Sequence, residues 1–497
     1  MHPVVAAWFA ETYGEPTDIQ RRVWPVIARG EHVLFTAPTG SGKTLAAFLY
    51  SLDRLLTGEW EAGRTTVLYV SPLKALNNDI QRNLLQPLTE LTARLRAAGH
   101  DPPRIRALTR SGDTPAEERR GMLRHPPEIL ITTPESLNIL LTSKSGRTLL
   151  ETVQKVILDE IHAVAGGKRG THLITAVERV DRLAELPVQR IAISATVRPL
   201  EEIAQFVAGC GPGGVSDTAG GGTSEDRGGL PPAAEAAPSG GAPPGGAGPS
   251  TLRPDPRRPI TVVTGEGHRD PELRVEYADP LQQVVEEEPS PWLPVIEILR
   301  SHLGRNRSTL IFTTNRRDAE KVASLLNEAE GRLCAYPHHG SLSLELRRRV
   351  ESQMKEGALE AIVATTSLEL GIDIGSIDEV ILLRTPYTVA SAVQMVGRSG
   401  HRVDAVSRGT FVPFFPRDLL SALVMREAVA EQDIEEITPV EGALDVLAQL
   451  IVSMTAHEEW ELEELYEFLR GTYPYRALDR RLFEGVVDML AGRYADS

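Results

Sequence analysis

The chain has 497 residues, of which 41% are hydrophobic and 24% are charged, and its formal net charge is −15. This length predicts about three domains, and the negative charge excludes a protein that coats nucleic acid through bulk electrostatics, although not one with a local basic groove. No apolar run reaches membrane-spanning length, and Cys210 and Cys334 have neither metal-ligand nor framework spacing. We therefore expect a cytoplasmic protein without a membrane partner.

The first segment of the chain, Met1 to Arg29, has apolar residues at helical spacing. Gln20 ends the sequence Thr17-Asp18-Ile19-Gln20, shortly before the glycine-rich loop described next. A glutamine amide offers a donor and an acceptor together, which reading an adenine edge requires. The alternative is a glutamine that is merely solvated on a helix.

A glycine-rich loop, Ala37–Thr44, lies between an apolar run and a helical pattern that extends to Leu56. Glycines in such a loop let successive N–H groups point into one hollow at the positive start of a helix, which suits phosphate. Lys43 would reach the β and γ phosphates, and the Thr44 hydroxyl would hold Mg²⁺. Ala37 replaces the glycine of the strict pattern, so a Gly/Ser turn that only starts a helix remains the alternative. The residues predicted to bind nucleotide phosphates here are Thr39, Gly40, Ser41, Gly42, Lys43 and Thr44.

An acidic pair, Asp159-Glu160, follows the apolar strand pattern Lys155–Leu158. Asp159 can hold Mg²⁺ through water, and Glu160 can orient and deprotonate an attacking water. His162 could couple the nucleotide state to a neighbouring loop, or could be a capped surface histidine. Together with the glycine-rich loop, this pair predicts an ATPase site in a doubly wound parallel sheet.

Polar loops follow several further strand patterns, at the sheet edge where open α/β sheets bind ligands. Each could be an ordinary connection when taken singly. They contain Ser71-Pro72-Leu73-Lys74, Thr133-Pro134-Glu135, Ser194-Ala195-Thr196, Thr313-Thr314-Asn315, His338-His339 and Thr365-Thr366.

Composition divides the chain at a Gly-, Pro- and Ala-rich stretch, 210–259, which we expect to be a disordered linker. The second α/β pattern has no Gly-Lys-Thr loop, but Arg398 and Arg402 stand in a glycine-flexed turn suited to stabilise charge on a transferring phosphoryl group. One nucleotide between two domains is therefore predicted, although Arg398 alone could be a structural arginine. The predicted domains are 1–209, 260–420 and a helical domain at 421–497.

The ordered series of these motifs resembles that of superfamily 2 helicases. The forms Asp-Glu-Ile-His, Ser-Pro-Leu-Lys-Ala-Leu-Asn-Asn-Asp and Gly-Arg-Ser-Gly-His resemble in particular the Lhr (large helicase-related) family. The resemblance implies two tandem RecA-like P-loop domains of α/β fold, followed by a partial helical winged-helix domain. It also implies ATP and Mg²⁺ as cofactors and Arg398 as an arginine finger.

The resemblance also assigns roles to residues outside the glycine-rich loop. ATP would be held with the help of Gln20, Asp159, Glu160, Asp373, Gln394 and Arg398. The residues implied in catalysis are Lys43, Asp159, Glu160, Arg398 and Arg402. Coupling would involve His162, Ser194 and Thr196. A single strand would be gripped, mainly at sugar and phosphate, by Pro72, Lys74, Thr133, Pro134, Thr314, His339 and Thr365.

The function that this resemblance implies is ATP-dependent 3′-to-5′ movement along single-stranded DNA by a monomer that unwinds DNA or DNA–RNA duplexes in repair. RNA remains an open alternative partner. Met395 and His401 depart from the arginines that many relatives carry, which leaves the role of Arg402 in doubt. The chain stops at Ser497, before the wing, so the resemblance also implies either a truncated product or a fragment, in which we expect impaired strand separation. The competing hypotheses are a ring-forming P-loop ATPase, disfavoured because Arg398 lies in the same chain, and a nucleic-acid clamp that ATP only switches.

Overall fold

The computed structural model describes residues 1–38, 40–72, 80–209, 258–265, 270–277, 292–365, 375–400 and 406–493. Four predicted site residues, Thr39, Lys74, Asp373 and Arg402, lie outside these ranges, as does most of the predicted linker. Within the described ranges, no helix is long and apolar enough to cross a membrane.

The first domain alternates strands and helices along the chain. A π-helical turn, Gln81–Leu85, leads into α4. The elements are α1 Pro3–Tyr13, α2 Asp18–Ala28, β1 His32–Thr36, α3 Lys43–Leu56, β2 Val67–Val70, α4 Gln86–Ala97, β3 Ala107–Arg110, α5 Ala116–Arg124, β4 Ile129–Thr132, α6 Pro134–Leu141, α7 Lys144–Leu150, β5 Lys155–Leu158, α8 His162–Ala165, α9 Lys168–Leu183, β6 Gln189–Ser194, α10 Leu200–Ala208 and β7 Ile260–Thr264.

The seven strands form one parallel sheet in the order β3-β4-β2-β5-β6-β1-β7. Helices cover both faces, so its central strands are continuously apolar rather than alternating. In β1, Val33 and Phe35 join the core on one face, while Leu34 joins the core on the other. All the strands run the same way, so the loops that follow them collect at one edge.

The position of β7 corrects the predicted domain boundary at residue 260. All five residues of β7 pair in parallel with β1, so this strand closes the first sheet instead of opening the second domain. Arg258, just before β7, donates to Glu178 of α9 at 2.8 Å and pairs with Asp181 at 2.9 Å. The second domain therefore begins after residue 264.

The second domain is a parallel sheet of six strands in the order β10-β11-β9-β12-β13-β8. Its predicted end at residue 420 is also wrong, because Ala422 and Val429 of its last helix, α15, are buried in the core of this domain. The elements are β8 Glu272–Val275, α11 Trp292–Leu303, β9 Thr309–Phe312, α12 Arg316–Glu330, β10 Ala335–His338, α13 Leu344–Lys355, β11 Ala361–Ala364, β12 Glu379–Leu383, α14 Val389–Val396, β13 Arg408–Val412 and α15 Pro416–Glu431.

Three helices follow and pack around their own apolar core, which includes Leu447, Leu469 and Phe483. This helical unit lies against the first domain: Arg179 of α9 donates to the Ser453 hydroxyl at 3.0 Å. The helices are α16 Leu444–Thr455, α17 Leu462–Arg470 and α18 Arg480–Leu490, with a 3-10 turn at Tyr473–Tyr475.

Lys155, at the start of β5, is buried at the edge of the first sheet opposite the loops described above. Its ammonium lies 4.6 Å from the centre of the Tyr50 ring and 5.5 Å from that of Trp60, and it donates to the Gln189 side chain. Burial, with a smaller contribution from the charge of Arg54, lowers the pKa of Lys155 to about 7. Unfolded chains keep a lysine protonated to about pH 10.4.

This difference predicts that Lys155→Met changes how stability depends on pH. Between about pH 7 and pH 10.4 the unfolded wild-type chain binds the additional proton, so wild-type stability rises with pH over this window. The methionine variant lacks that rise. We expect its melting temperature relative to wild type to fall as the pH increases from about 7 to about 9.5, by the equivalent of roughly 3 kcal/mol at most. Thermal unfolding at several pH values measures this, with Lys144→Met at an exposed lysine as the matched control. A difference from wild type that does not vary with pH would contradict it.

Candidate functional site

The loop between β1 and α3 has the shape of a phosphate-binding loop. Gly40 and Gly42 adopt φ values of 83° and 79°, a left-handed conformation that disfavours side chains. The Lys43 ammonium donates to the carbonyl oxygens of Ala37 and, at 2.9 Å, of Pro38. The ammonium thus donates to backbone oxygens of its own loop.

The predicted adenine-reading residue, Gln20, is buried against this loop. Its amide oxygen accepts from the backbone N–H of Thr17 at 3.0 Å, closing a capping box on α2. Its amide nitrogen donates to the Gly42 carbonyl at 3.4 Å. Gln20 therefore joins α2 to the phosphate loop, and its second amide hydrogen is the donor left for a base.

Asp159, at the carboxyl end of β5, is held from two directions. The backbone N–H of Glu160 donates to one carboxylate oxygen at 2.9 Å, and the Tyr69 hydroxyl at the end of β2 donates to the other. Burial, together with the negative charge of Glu160, raises the pKa of Asp159 above its usual range. A cation at this position would favour the ionised form.

Glu160 has a backbone φ of 48°, in the left-handed region that a residue with a side chain rarely adopts. Such strain persists only where the surroundings impose it, and it occurs often at functional sites. It directs the carboxylate toward His162, whose Nε2 lies 3.3 Å from a Glu160 oxygen. The Glu160 side chain keeps 22% of its surface exposed.

His162 connects the two domains. Burial and the nearby charge of Lys43 lower the pKa of His162 to about 3, so the ring is neutral at physiological pH. Its Nδ1 accepts from the Ala195 backbone N–H at 3.2 Å and lies 3.1 Å from the Ser194 hydroxyl. Its Nε2 lies 2.8 Å from the side-chain amide of Gln394 in α14 of the second domain.

These contacts fix which ring nitrogen carries the hydrogen. Because Nδ1 accepts from a backbone N–H, Nε2 of the neutral ring of His162 must be the donor. The amide of Gln394 then meets Nε2 through its oxygen, after a half-turn about its last side-chain bond. A change at Glu160 can thus reach the second domain through a single imidazole.

Arg398 lies just beyond the end of α14, four residues after Gln394, and is buried. The contact between Gln394 and His162 brings this helix against the Asp159-Glu160 segment. The structure thus brings residues of both predicted half-sites to one cleft.

The residues at this cleft suit Mg²⁺ bound with a nucleotide. Asp159 offers a buried carboxylate and Thr44, at the start of α3, a hydroxyl, and oxygen ligands are those that Mg²⁺ prefers. Within the described ranges, no group of three or more His, Cys, Asp or Glu could hold a metal by itself. The remaining ligands would be water and phosphate oxygens, as in other phosphoryl-transfer sites.

The predicted nucleic-acid contacts of the first domain lie together at the same edge of the sheet. Thr133 caps α6 by accepting from the Ser136 N–H at 3.3 Å, and Pro134 is the first residue of that helix. Arg169 joins two of the predicted loops, donating to the Pro72 carbonyl at 2.9 Å and to Glu135 at 2.7 Å. Ser194 is buried at the end of β6, while Thr196 is exposed.

The predicted contacts of the second domain follow three adjacent strands, β10, β11 and β9. Thr314 is exposed, and Thr365 is partly exposed, with its N–H bonded to the His338 carbonyl at 3.2 Å. The His339 ring is buried, and its Nε2 lies 3.1 Å from a Glu320 carboxylate oxygen.

Sequence reasoning missed two residues of this site. Tyr69 reads as a core aromatic of a buried strand, and nothing local reveals that its hydroxyl reaches Asp159, 90 positions along the chain. Arg169 follows a glycine-rich turn and reads as an ordinary charged residue at a helix start. Predicting that Arg169 pairs with Glu135, 34 positions earlier in the chain, would have required knowledge of the sheet order.

Three family models match successive parts of the chain. Residues 17–203 match the DEAD/DEAH box helicase model, and residues 294–402 match the helicase conserved C-terminal domain. Residues 427–497 match the winged-helix domain of large helicase-related proteins. The three matches follow the order of the two sheets and the helical unit.

Curated relatives and solved structures agree with these models. The "Lhr helicase/uracil glycosylase" of Escherichia coli is 39% identical over 99% of this chain and 32% of its own length. The "ATP-dependent helicase Lhr-Core" of Methanothermobacter thermautotrophicus is 37% identical over 100% of this chain and 53% of its own length. The solved structure of Mycobacterium smegmatis helicase Lhr, bound to ssDNA and AMP-PNP, is similar with a TM-score of 0.82 and 38% identity, covering 98% of this chain and 57% of that one. This chain spans 32% and 53% of the length of these two curated relatives. With both RecA-like domains and the winged-helix match in place, the chain belongs to the large helicase-related (Lhr) family of DEAD/DEAH box helicases.

Proposed function

We propose that this chain is an ATP-dependent helicase motor that hydrolyses ATP between its two RecA-like domains and uses the cycle to move along a nucleic-acid strand. The observation that carries the proposal is the contact between His162 and Gln394 at 2.8 Å. It joins the acidic pair of one domain to the arginine-bearing helix of the other. A nucleotide that changes this contact would change how the two domains face each other.

The chemistry assigned to the site is hydrolysis of the γ-phosphate by an oriented water. Glu160 takes a proton from that water, Lys43 binds the phosphates, and Arg398 stabilises the charge that develops on the transferring group. Mg²⁺, when bound beside Asp159 and Thr44, neutralises charge on the phosphate oxygens. Gln20, Gly40, Ser41 and Gly42 position the nucleotide.

The proposed track is single-stranded DNA, because the solved Mycobacterium smegmatis relative is described as bound to ssDNA and AMP-PNP. The strand would cross the loops that follow β2, β4, β9, β10 and β11. We further propose that the protein moves from 3′ to 5′ and unwinds DNA or DNA–RNA duplexes. It would act as a cytoplasmic monomer in DNA repair. Family membership supports these points. Separating one base-pair step costs about 1.4 kcal/mol on average, a load that one nucleotide cycle can meet.

The test is steady-state ATP hydrolysis with Mg²⁺ at a fixed salt concentration, because phosphate contacts are screened by salt. Reactions without polymer, with single-stranded DNA and with single-stranded RNA are compared, and Lys43→Ala serves as the inactive control. We expect single-stranded DNA to raise turnover at least about fivefold, the lower end of ordinary coupling between two sites. If neither polymer changes the rate of ATP hydrolysis, the proposed motor function is refuted and an ATP-switched clamp is favoured. If only RNA stimulates hydrolysis, the strand along which the protein moves is RNA and not DNA.

Duplexes with a 3′ or a 5′ single-stranded tail then test direction and unwinding. We expect ATP-dependent strand separation only from the 3′ tail. Separation from the 5′ tail would overturn the proposed direction, and none from either tail would limit the chain to translocation.

A further inference from the structure

A short junction between α15 and α16, Asp433–Ile437, touches both RecA-like domains. On the side of the first domain, the Ile437 N–H donates to the Arg198 carbonyl at 2.7 Å, and the Arg198 side chain pairs with Asp433 at 3.3 Å. Arg198 follows the Ser194-Ala195-Thr196 loop closely. The junction is thus bonded to the first domain at Arg198, shortly after the loop that contacts His162.

On the side of the second domain, Glu435 caps α14. Its two carboxylate oxygens accept from the backbone N–H groups of Val389 at 2.6 Å and of Ala390 at 3.1 Å. Thr388 satisfies the next N–H, that of Ser391, at 3.2 Å. A carboxylate is stabilising at the positive start of a helix. Although partial burial opposes it, these hydrogen bonds lower the pKa of Glu435, which is ionised at neutral pH.

The junction and the nucleotide cleft form one closed circuit of contacts. Glu435 caps α14, and Gln394 of this helix contacts His162, which in turn contacts Ser194. Arg198, four residues after Ser194, pairs with Asp433 of the junction. α14 is therefore tied toward the first domain near both of its ends. Its carboxyl end leads to Arg398, so the direction of this helix determines where that guanidinium stands.

The part of the chain after the junction is docked on the first domain. The Thr171 hydroxyl of α9 donates to the Val440 carbonyl at 3.1 Å, and Lys168 pairs with Asp445 at 2.8 Å. Glu435 therefore lies in the segment that joins the second domain to a unit docked on the first.

We propose that Glu435 is a positioning residue for the ATPase reaction: by capping α14 from the domain junction, it fixes the orientation in which this helix presents Gln394 and Arg398 to the nucleotide cleft. The inference rests on the proposed function of that cleft. It assigns Glu435 no contact with the nucleotide. Its effect should therefore appear in turnover and not in nucleotide affinity.

The first measurement is steady-state ATP hydrolysis by the full chain with single-stranded DNA, comparing wild type, Glu435→Ala, Glu435→Gln and Glu436→Ala. Glu436 is an exposed carboxylate next in the chain whose side chain makes no hydrogen bond or ion pair among the described residues, so it controls for charge. We expect Glu435→Ala to lower kcat about fivefold, on the scale of the free energy by which a lost cap destabilises a helix, with KM for ATP unchanged. Glu435→Gln keeps one acceptor oxygen, so its kcat should lie between those of wild type and Glu435→Ala. Equal kcat values for Glu435→Ala and Glu436→Ala would overturn the proposal.

Hydrogen exchange of the nucleotide-free chain supplies a readout that does not need activity. The amides of Val389 and Ala390 should exchange about fivefold faster in Glu435→Ala than in wild type or Glu436→Ala. Unchanged exchange would overturn the proposal even if turnover fell. An inactive wild-type chain would refute the proposed function, and this exchange measurement would still decide whether Glu435 holds α14.

Discussion

Replacing Glu160 by glutamine is expected to lower kcat for ATP hydrolysis by about 10²- to 10⁴-fold, the range that general-base catalysis contributes. Glutamine has the same shape but cannot accept the proton of the attacking water. The strained φ of 48° is equally unfavourable for glutamate and for glutamine, so the backbone should keep its conformation in the variant. Lys43 and the loop amides are untouched, so nucleotide affinity should change little.

The measurement for Glu160→Gln pairs single-turnover hydrolysis with equilibrium binding of a fluorescent ATP analogue. Glu118→Gln is the matched control, because it removes one carboxylate charge from an exposed position of α5 in the same domain. Turnover equal to that of this control would show that another group activates the water. Lost binding would instead assign Glu160 to holding the nucleotide.

The architecture of the cleft followed from the sequence because its parts are local. Glycines between an apolar strand and a helix specify the phosphate loop before Lys43, and an apolar strand delivers Asp159 and Glu160 to the same sheet edge. The two RecA-like domains and the helices after them, expected from the ordered motifs, are confirmed by the two parallel sheets and their likeness to a solved Lhr structure.

The errors concern pairings between distant parts of the chain. β7 is a short apolar strand that could complete either sheet, and no local feature shows that β1 is its partner. The burial of the His339 ring, whose Nε2 lies 3.1 Å from Glu320 of helix α12, depends in the same way on a neighbour that the motif order does not show. Tyr69 and Glu435 depend on contacts that span 90 and 46 positions, which spacing cannot reveal. The roles assigned to the site residues stay predictions, and Thr39, Lys74, Asp373 and Arg402 lie outside the described residues.

Arg398→Ala is the second change expected to have a very large effect, a loss of ~10³- to 10⁵-fold in kcat, the contribution of arginine fingers in phosphoryl transfer. The reason is geometric: α14 meets His162 through Gln394, and one turn further its arginine would face the developing charge on the phosphoryl group. Arg398→Lys should recover little, because a point charge lacks the planar fork that binds two oxygens at once.

Arg398 is buried, so its loss could also disturb the second domain, and the measurement must separate the two effects. Thermal unfolding and ATP-analogue binding are therefore compared with Arg408→Ala, which removes an exposed arginine paired with Glu272 in the same domain. A variant that binds the analogue and unfolds like this control, yet does not turn over, locates the defect in the transition state. If instead Arg398→Ala hydrolyses ATP within about threefold of wild type, no finger acts from this position. The contact between Gln394 and His162 would then couple the domains without supplying a catalytic charge.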